Sequence, residues 1–211
     1  MSDSDSEQVP SAHQPWPEIS RQQLAQTRVF TVASATRQSP RTGKMHLFGL
    51  LECSDWVNVV ALTADGLAVL IEQYRHGTQT VTLEVPGGMI DAGETPAQAA
   101  SRELLEETGY RCAQLRQIGC VHPNPALQGN RCYTFVALGC IQERIAHFDA
   151  TEDCLLRLEP VANLPALVQS GAIGHALVVA ALAHAWLGGD LPLPNHHRPQ
   201  SRSLRQFSGP R

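Results

Sequence analysis

Arg102, Glu103, Glu106 and Glu107 fall within one short stretch of the segment TPAQAASRELLEET, residues 95–108. On a helix, Glu103 and Glu107 are i,i+4 neighbours and Glu103 and Glu106 are i,i+3 neighbours, so three carboxylates share one face. Their mutual repulsion, and their place near the negative end of the helix dipole, both oppose folding. A solvated acidic face is the ordinary outcome for a Glu-rich helix. Here the opposite face is small and apolar (Ala97, Ala100, Leu104), which lets the helix press on a sheet while the carboxylates gather in one place. A hard divalent cation takes oxygen ligands and neutralises such a cluster, and Mg2+ completes its shell with waters and substrate phosphates. The chemistry indicated is metal-assisted work on phosphates.

The elements around this cluster can be read from turn and cap signals. A helix is predicted over 96–108: Thr95 suits its N-cap, Pro96 its first position and Gly109 its stop. The preceding strand TVTLEV, 80–85, runs into Pro86-Gly87-Gly88, which must halt it, and glycine there lets the backbone come close to a ligand. The loop Gly88–Glu94 then leads into the helix. Earlier β-type runs lie at 28–35, 45–53, 56–63 and 67–74, the last two joined by an Asp65-Gly66 hairpin turn. Later strands are expected near 117–122, 131–141 and 153–158, a short helix near 163–169 and an apolar helix over 174–187. Strands around one central helix, with a packing helix at the end, predict an α/β fold: a mixed sheet between helical layers. Residues 1–20 and 190–211 carry little to bury and are expected to be disordered.

A chain of 211 residues makes one domain with extensions the expectation. A hydrophobic share of 43% with 17% charged residues excludes collagen-like, coiled-coil and wholly disordered chains. A net charge of -4 gives no reason to expect nucleic acid or an anionic membrane as partner, and 5% aromatic residues argue against a base-stacking platform. The N-terminal segment has no basic stretch followed by an apolar one, so it does not read as a signal peptide. The apolar run between Gly171 and Gly188 falls short of the roughly 20 residues a membrane span needs. Six cysteines without a CxxC pair read as reduced thiols of a cytoplasmic protein. The TGK at 42–44 lacks the other residues of a phosphate-binding loop, no GxSxG elbow is present, and the nine histidines show no metal-ligand spacing and read as satisfied or solvated.

Residues 88–110, GMIDAGETPAQAASRELLEETGY, resemble a complete Nudix box: Gly, five residues, Glu, seven residues, Arg-Glu-Leu-x-Glu-Glu, one residue, Gly, then an apolar position held here by Tyr110. The resemblance implies a Nudix-type α/β/α sandwich with a mixed sheet, plus N-terminal β-strands. Residues 56–189 would form the hydrolase domain, and 21–55 the N-terminal strands, a candidate dimer-exchange element of a homodimer. It also implies hydrolysis of a nucleoside diphosphate linked to another group, with Mg2+, or Mn2+ in its place, as cofactor. Carried onto matching positions, Glu103 and Glu107 would be the principal metal ligands. Glu106 would be a third ligand or the residue that orders the attacking water. The carbonyl of Gly87 corresponds to a backbone ligand in relatives, and Arg102 would pair with Glu94 and hold the loop against the helix. A general base is still wanted, and of the loop acids at 149–153 Glu152 is favoured.

Outside the box, GluGlnTyrArg at 72–75 and LeuGluValProGlyGly at 83–88 are similar to elements of the ADP-ribose and NDP-sugar pyrophosphatase branch. That similarity makes Arg75 the best candidate for contacting the diphosphate or terminal ribose. It gives Glu84 a role at ribose hydroxyls or a metal. Gly88 is a further candidate at the substrate, and Trp56 is another, as a ring able to stack on a purine. The expected reaction is ADP-ribose to AMP and ribose 5-phosphate. GDP-mannose or a dinucleoside polyphosphate are alternative substrates, and a nucleotide-sugar-sensing binding protein is the non-enzyme alternative.

Overall fold

A computed structural model describes residues 13–146 and 154–194 of the chain. Strands β1 (Glu18–Gln26), β2 (Phe30–Gln38) and β3 (Met45–Cys53) form an antiparallel sheet of their own, in that order. The chain then builds a second sheet from β4 (Trp56–Thr63), β5 (Leu67–Arg75), β6 (Thr80–Glu84) and β7 (Gly87–Met89). After helix α1 (Pro96–Thr108) it adds β8 (Tyr110–Arg111), β9 (Gln114–Val121), β10 (Cys132–Gln142) and β11 (Cys154–Pro160). Helices α2 (Leu164–Ser170) and α3 (Ala176–Leu187) close the described chain. The strand order is β11-β5-β4-β10-β8, with β6 on β5, β7 on β4 and β9 on β10. The β4–β10 pair is parallel and the other pairs are antiparallel, so the sheet is mixed.

Strand β4 explains the layering. Val57, Val59 and Ala61 point to one face and Val60 and Leu62 to the other, and all are buried. A strand apolar on both faces must be covered on both. Helix α1 covers the first face through Ala99, Ala100 and Leu104, and α3 covers the second through Val178, Ala181, Leu182 and Ala185. The result is the α/β/α sandwich expected from the order of elements.

The structure departs from the sequence reading at three places in the fold. Strand β1 begins at Glu18, inside the stretch 1–20 read as disordered, and none of its nine residues is shielded from solvent. Its sequence EISRQQLAQ carries no strand periodicity, and pairing with β2 makes it a strand. The glycines after Pro86 do not end the β-structure, because Gly87–Met89 resumes as a three-residue strand on β4. The hairpin turn at Asp65-Gly66 joins β4 and β5 as expected, with Gly66 at a positive φ of 84°. The expected tail from 190 starts too early, since Leu191 is buried in the core beside α3 and Asp190 pairs with Arg116 at 2.5 Å. All six cysteines are free thiols, three of them buried. Among the described residues no helix is long and apolar enough to cross a membrane.

Candidate active site

Helix α1 starts where its cap residues require. Thr95 accepts from the Gln98 amide at 3.3 Å, and Gln98 accepts in return from the Thr95 amide at 2.8 Å, a reciprocal capping box. It ends at Gly109, whose φ of 75° only glycine adopts without strain. These two ends fix which face of the helix meets β7, and Glu103 and Glu107 lie on that face, 7% and 3% exposed.

The glycine pair at 87–88 allows this approach. A Cβ on Gly87 would stand 2.2 Å from the Val57 carbonyl oxygen, and one on Gly88 2.2 Å from Glu103 Oε1. The backbone of β7 is thus wedged between β4 and the carboxylates of α1. The Gly87 amide donates to Glu107 Oε2 at 2.8 Å, which holds that carboxylate against the strand.

Arg102 organises the opposite side of the cluster. Its Nε and one terminal nitrogen donate to the two oxygens of Glu94, both at 2.9 Å, and that terminal nitrogen also reaches the Met89 carbonyl at 3.0 Å. The other terminal nitrogen donates to Glu103 at 2.9 Å and Glu106 at 3.2 Å. One guanidinium therefore ties the loop after β7 to two box carboxylates. Hydrogen bonding to Glu94 raises the Arg102 pKa against the effect of burial, and Arg102 in turn holds Glu94 below the usual carboxylate value. The three carboxylates share a face, as the spacing requires, but Glu107 meets the Gly87 amide while Glu103 and Glu106 share Arg102. Among the described residues no three His, Cys, Asp or Glu side chains converge closely enough to hold a metal ion as they stand. The donor set still fits a hard divalent cation: Glu103, Glu106 and Glu107 offer only oxygen, and a single guanidinium already bridges two of them, where a smaller cation would be attracted by the same charge.

A cavity of about 320 Å³ lies beside Gly87 and Gly88. Arg75 and Glu84 line it, joined by two parallel hydrogen bonds of 2.8 and 2.7 Å, and Trp56 contributes an aromatic wall. Burial alone would push the Glu84 carboxyl up, but hydrogen bonds from Arg75 and Thr82 outweigh it, and the group stays below its ordinary value. A larger cavity, about 790 Å³, lies against the N-terminal sheet between Trp16, Arg21, Phe48 and the loop at 125–130. Neither cavity is lined by a box carboxylate, but the smaller one is lined by Gly87 and Gly88, the residues that meet Glu107 and Glu103, and so adjoins the acidic cluster.

A family model of the NUDIX domain matches residues 55–180. The chain belongs to the Nudix family.

The chain is also similar to several individual proteins and to one solved structure. The chain is 35% identical to a methanol dehydrogenase activator of Bacillus methanolicus over 97 residues, 46% of this chain and 52% of that protein. It thus spans about half the length of that relative. It is 27% identical to an ADP-ribose pyrophosphatase of Bacillus subtilis over 60% of this chain and 69% of that one. It is 28% identical to the ADP compounds hydrolase NudE of Escherichia coli, over 79% of this chain and 90% of that one. A crystal structure of an ADP compounds hydrolase superposes with a TM-score of 0.75 at 26% identity, covering 86% of this chain and 98% of that one.

Of the residues singled out in the sequence, the Nudix fold brings Gly87, Gly88, Arg102, Glu103, Glu106 and Glu107 into one contact network. It sets Arg75, Glu84 and Trp56 in the adjoining cavity. Glu152 lies outside the described residues. Two further lining residues escaped the sequence reading. Asn58 is the one polar residue inside the apolar run WVNVVALT, a signal that was available; it is buried, and its Nδ2 donates to the Leu177 carbonyl at 3.0 Å. The sequence reads His175 as a satisfied or solvated histidine. Its Nδ1 is instead buried with no hydrogen-bond partner among the described residues, and only the tertiary fold places it next to Arg75 and Glu84.

Proposed function

We propose that this chain is a divalent-cation-dependent hydrolase that cleaves the pyrophosphate of a nucleoside diphosphate sugar, with ADP-ribose, giving AMP and ribose 5-phosphate, as its foremost substrate. The observation that carries this reading is the buried carboxylate pair Glu103 and Glu107, held against Gly87 and Gly88, which in turn line a cavity that presents Arg75 and Glu84. Relatives bearing the names ADP-ribose pyrophosphatase and ADP compounds hydrolase support it.

Glu103, Glu107 and Glu106, with the carbonyl of Gly87, would hold Mg2+ or Mn2+. Such a cation supplies charge neutralisation for the pyrophosphate and Lewis acidity toward water. The remaining work falls to the chain. Arg75 contacts the sugar next to the diphosphate, with its guanidinium plane fixed by Glu84. Arg102 keeps Glu103 and Glu106 oriented and fastens the loop that carries Met89. Trp56 and Gly88 bound the sugar-side cavity. Hydrolysis joins the water oxygen to one phosphorus, breaks the bridging P–O bond, and passes a water proton to a base, a role we give to Glu152.

The reading includes a homodimer in the cytoplasm. Ile19, Leu24, Met45 and Leu47 of the N-terminal sheet are each more than half exposed, apolar surface that a second copy would cover. Six free thiols fit a reducing compartment.

The test is a panel of ADP-ribose, ADP-glucose, GDP-mannose, NADH and diadenosine polyphosphates with Mg2+, using Glu107→Gln as control. AMP and ribose 5-phosphate should form from ADP-ribose. The variant should lose at least about a hundredfold in rate, about 2.7 kcal/mol of transition-state stabilisation. Equal cleavage by both proteins overturns the roles given to the cluster, and tight binding without turnover by the wild type favours a sensor.

A further inference from the structure

His175 has no part in the reaction as described, yet it lines the cavity with Arg75, Glu84 and Trp56. It occupies the N-cap position of α3 without capping it through its side chain. The first turn of α3 is anchored by other groups: Asn58 Nδ2 donates to the Leu177 carbonyl at 3.0 Å, and Val178 is fully buried. The imidazole is therefore not needed to seat the helix. Its Nδ1 is buried and lacks a hydrogen-bond partner among the described residues. Leaving a buried polar atom unpaired costs free energy that an apolar side chain in the same place would not.

We infer that His175 recognises the sugar of a bound nucleoside diphosphate sugar, its imidazole hydrogen-bonding a sugar hydroxyl seated in this cavity. The inference rests on the function proposed above and specifies which portion of that substrate the cavity takes. Charge selects the sugar over a second phosphate. Arg75 and Glu84 are the charged residues of the lining, and they neutralise each other through their paired hydrogen bonds, so no unmatched positive charge remains there for a phosphate. A carboxylate only accepts, which favours a ligand rich in O–H donors. The imidazole adds to this. Burial pushes it below its ordinary pKa, with Glu84 opposing that shift and Arg75 reinforcing it, so the ring is neutral and offers one donor and one acceptor nitrogen. A hydroxyl answers either nitrogen, whichever tautomer is present, whereas a phosphate oxygen answers only a donor. A half-turn about the Cβ–Cγ bond exchanges Nδ1 with Cδ2, so presenting this nitrogen to a ligand needs no backbone movement.

The experiment is calorimetric binding of the non-hydrolysable α,β-methylene analogue of ADP-ribose to the full chain with Mg2+, with ADP as the sugarless control. His175→Phe keeps a ring without nitrogens, and His175→Asn keeps a polar atom near the Nδ1 position. His175→Phe should weaken the analogue roughly tenfold, the effect of one lost hydrogen bond at a buried group, and leave ADP within about twofold. His175→Asn should recover most of the loss. In turnover assays KM should rise with kcat nearly unchanged, the sign of an interaction made equally in ground and transition states. His175→Ala carries the same expectation as His175→Phe, so a misfolded phenylalanine variant does not remove the test. Wild-type affinity for the analogue in both variants, or equal losses for analogue and ADP, overturns the inference. Wild-type protein that binds neither ligand and cleaves no nucleotide sugar overturns the proposed function instead.

Discussion

Adding one methyl group at Gly88 should separate the chemistry of this site from its stability. The Cβ of Gly88→Ala would stand 2.2 Å from Glu103 Oε1 and 2.6 Å from its Cδ, well inside the 3.4 Å at which ordinary contact begins. The obstructing atoms are the end of a flexible side chain, so the carboxylate can retreat, and it must do so by roughly 1 Å or more. A misplacement of about 1 Å at a reacting centre costs on the order of a hundredfold in rate, about 2.7 kcal/mol. Stability should hardly change, because Gly88 has no positive φ to lose. Gly87→Ala makes the contrast. Its Cβ would meet the Val57 carbonyl oxygen at 2.2 Å, and that atom is backbone of β4, a strand held between β7 and β10. Such overpacking costs about 1–3 kcal/mol, roughly 3–10 °C in Tm for a domain of this size. The assay pairs kcat/KM for ADP-ribose with Mg2+ and thermal melting of both variants. Wild-type turnover by Gly88→Ala would show that Glu103 is not needed where it stands. A Gly88→Ala melt as depressed as that of Gly87→Ala would show that the carboxylate cannot yield, and the reasoning from close approach would fail.

Two other outcomes can be measured directly. The folded Glu84 carboxyl titrates below its ordinary value of 4.5, so the unfolded chain takes up this proton first. The stabilisation is complete above about pH 5 and is lost as pH falls from about 4.5 through the folded value. Urea midpoints between pH 7 and pH 3 should therefore fall at the acid end, and Glu84→Gln should be weaker at pH 7 but flatter below pH 5; parallel curves for the two proteins would refute the assignment. Thr95→Ala removes half of the capping box on α1 and should cost about 1 kcal/mol, or roughly 2–4 °C in Tm. Its turnover should stay within about twofold of wild type, and a large loss of rate at unchanged Tm would mean that the helix start positions the carboxylates more directly than the capping geometry implies.

Much of this molecule could be read from local signals, because they are local in origin. The helix over 96–108 is bounded by Thr95, Pro96 and Gly109, each acting on its own turn, and the structure begins and ends it there. Strands β3 and β4 likewise match the apolar runs at 45–53 and 56–63 residue for residue. The spacing of Glu103, Glu106 and Glu107 alone dictated a shared face, and the box around them indicated the Nudix family before any coordinate was needed.

Other features depend on distant partners, and no short window of sequence carries them. Strand β1 is exposed throughout, without alternation of apolar and polar residues, and is a strand because β2 supplies its hydrogen bonds. The run Pro86-Gly87-Gly88 looks like a stop, yet the missing Cβ atoms let it slide between β4 and α1 as a further strand. Which donor each carboxylate meets, the Gly87 amide for Glu107 and Arg102 for Glu103 and Glu106, was decided by packing. His175 is the clearest case: an alternation pattern or a cap preference can register a histidine, but burial without a partner is a relation among α3, β4 and β5, and it exists only once those three elements have come together.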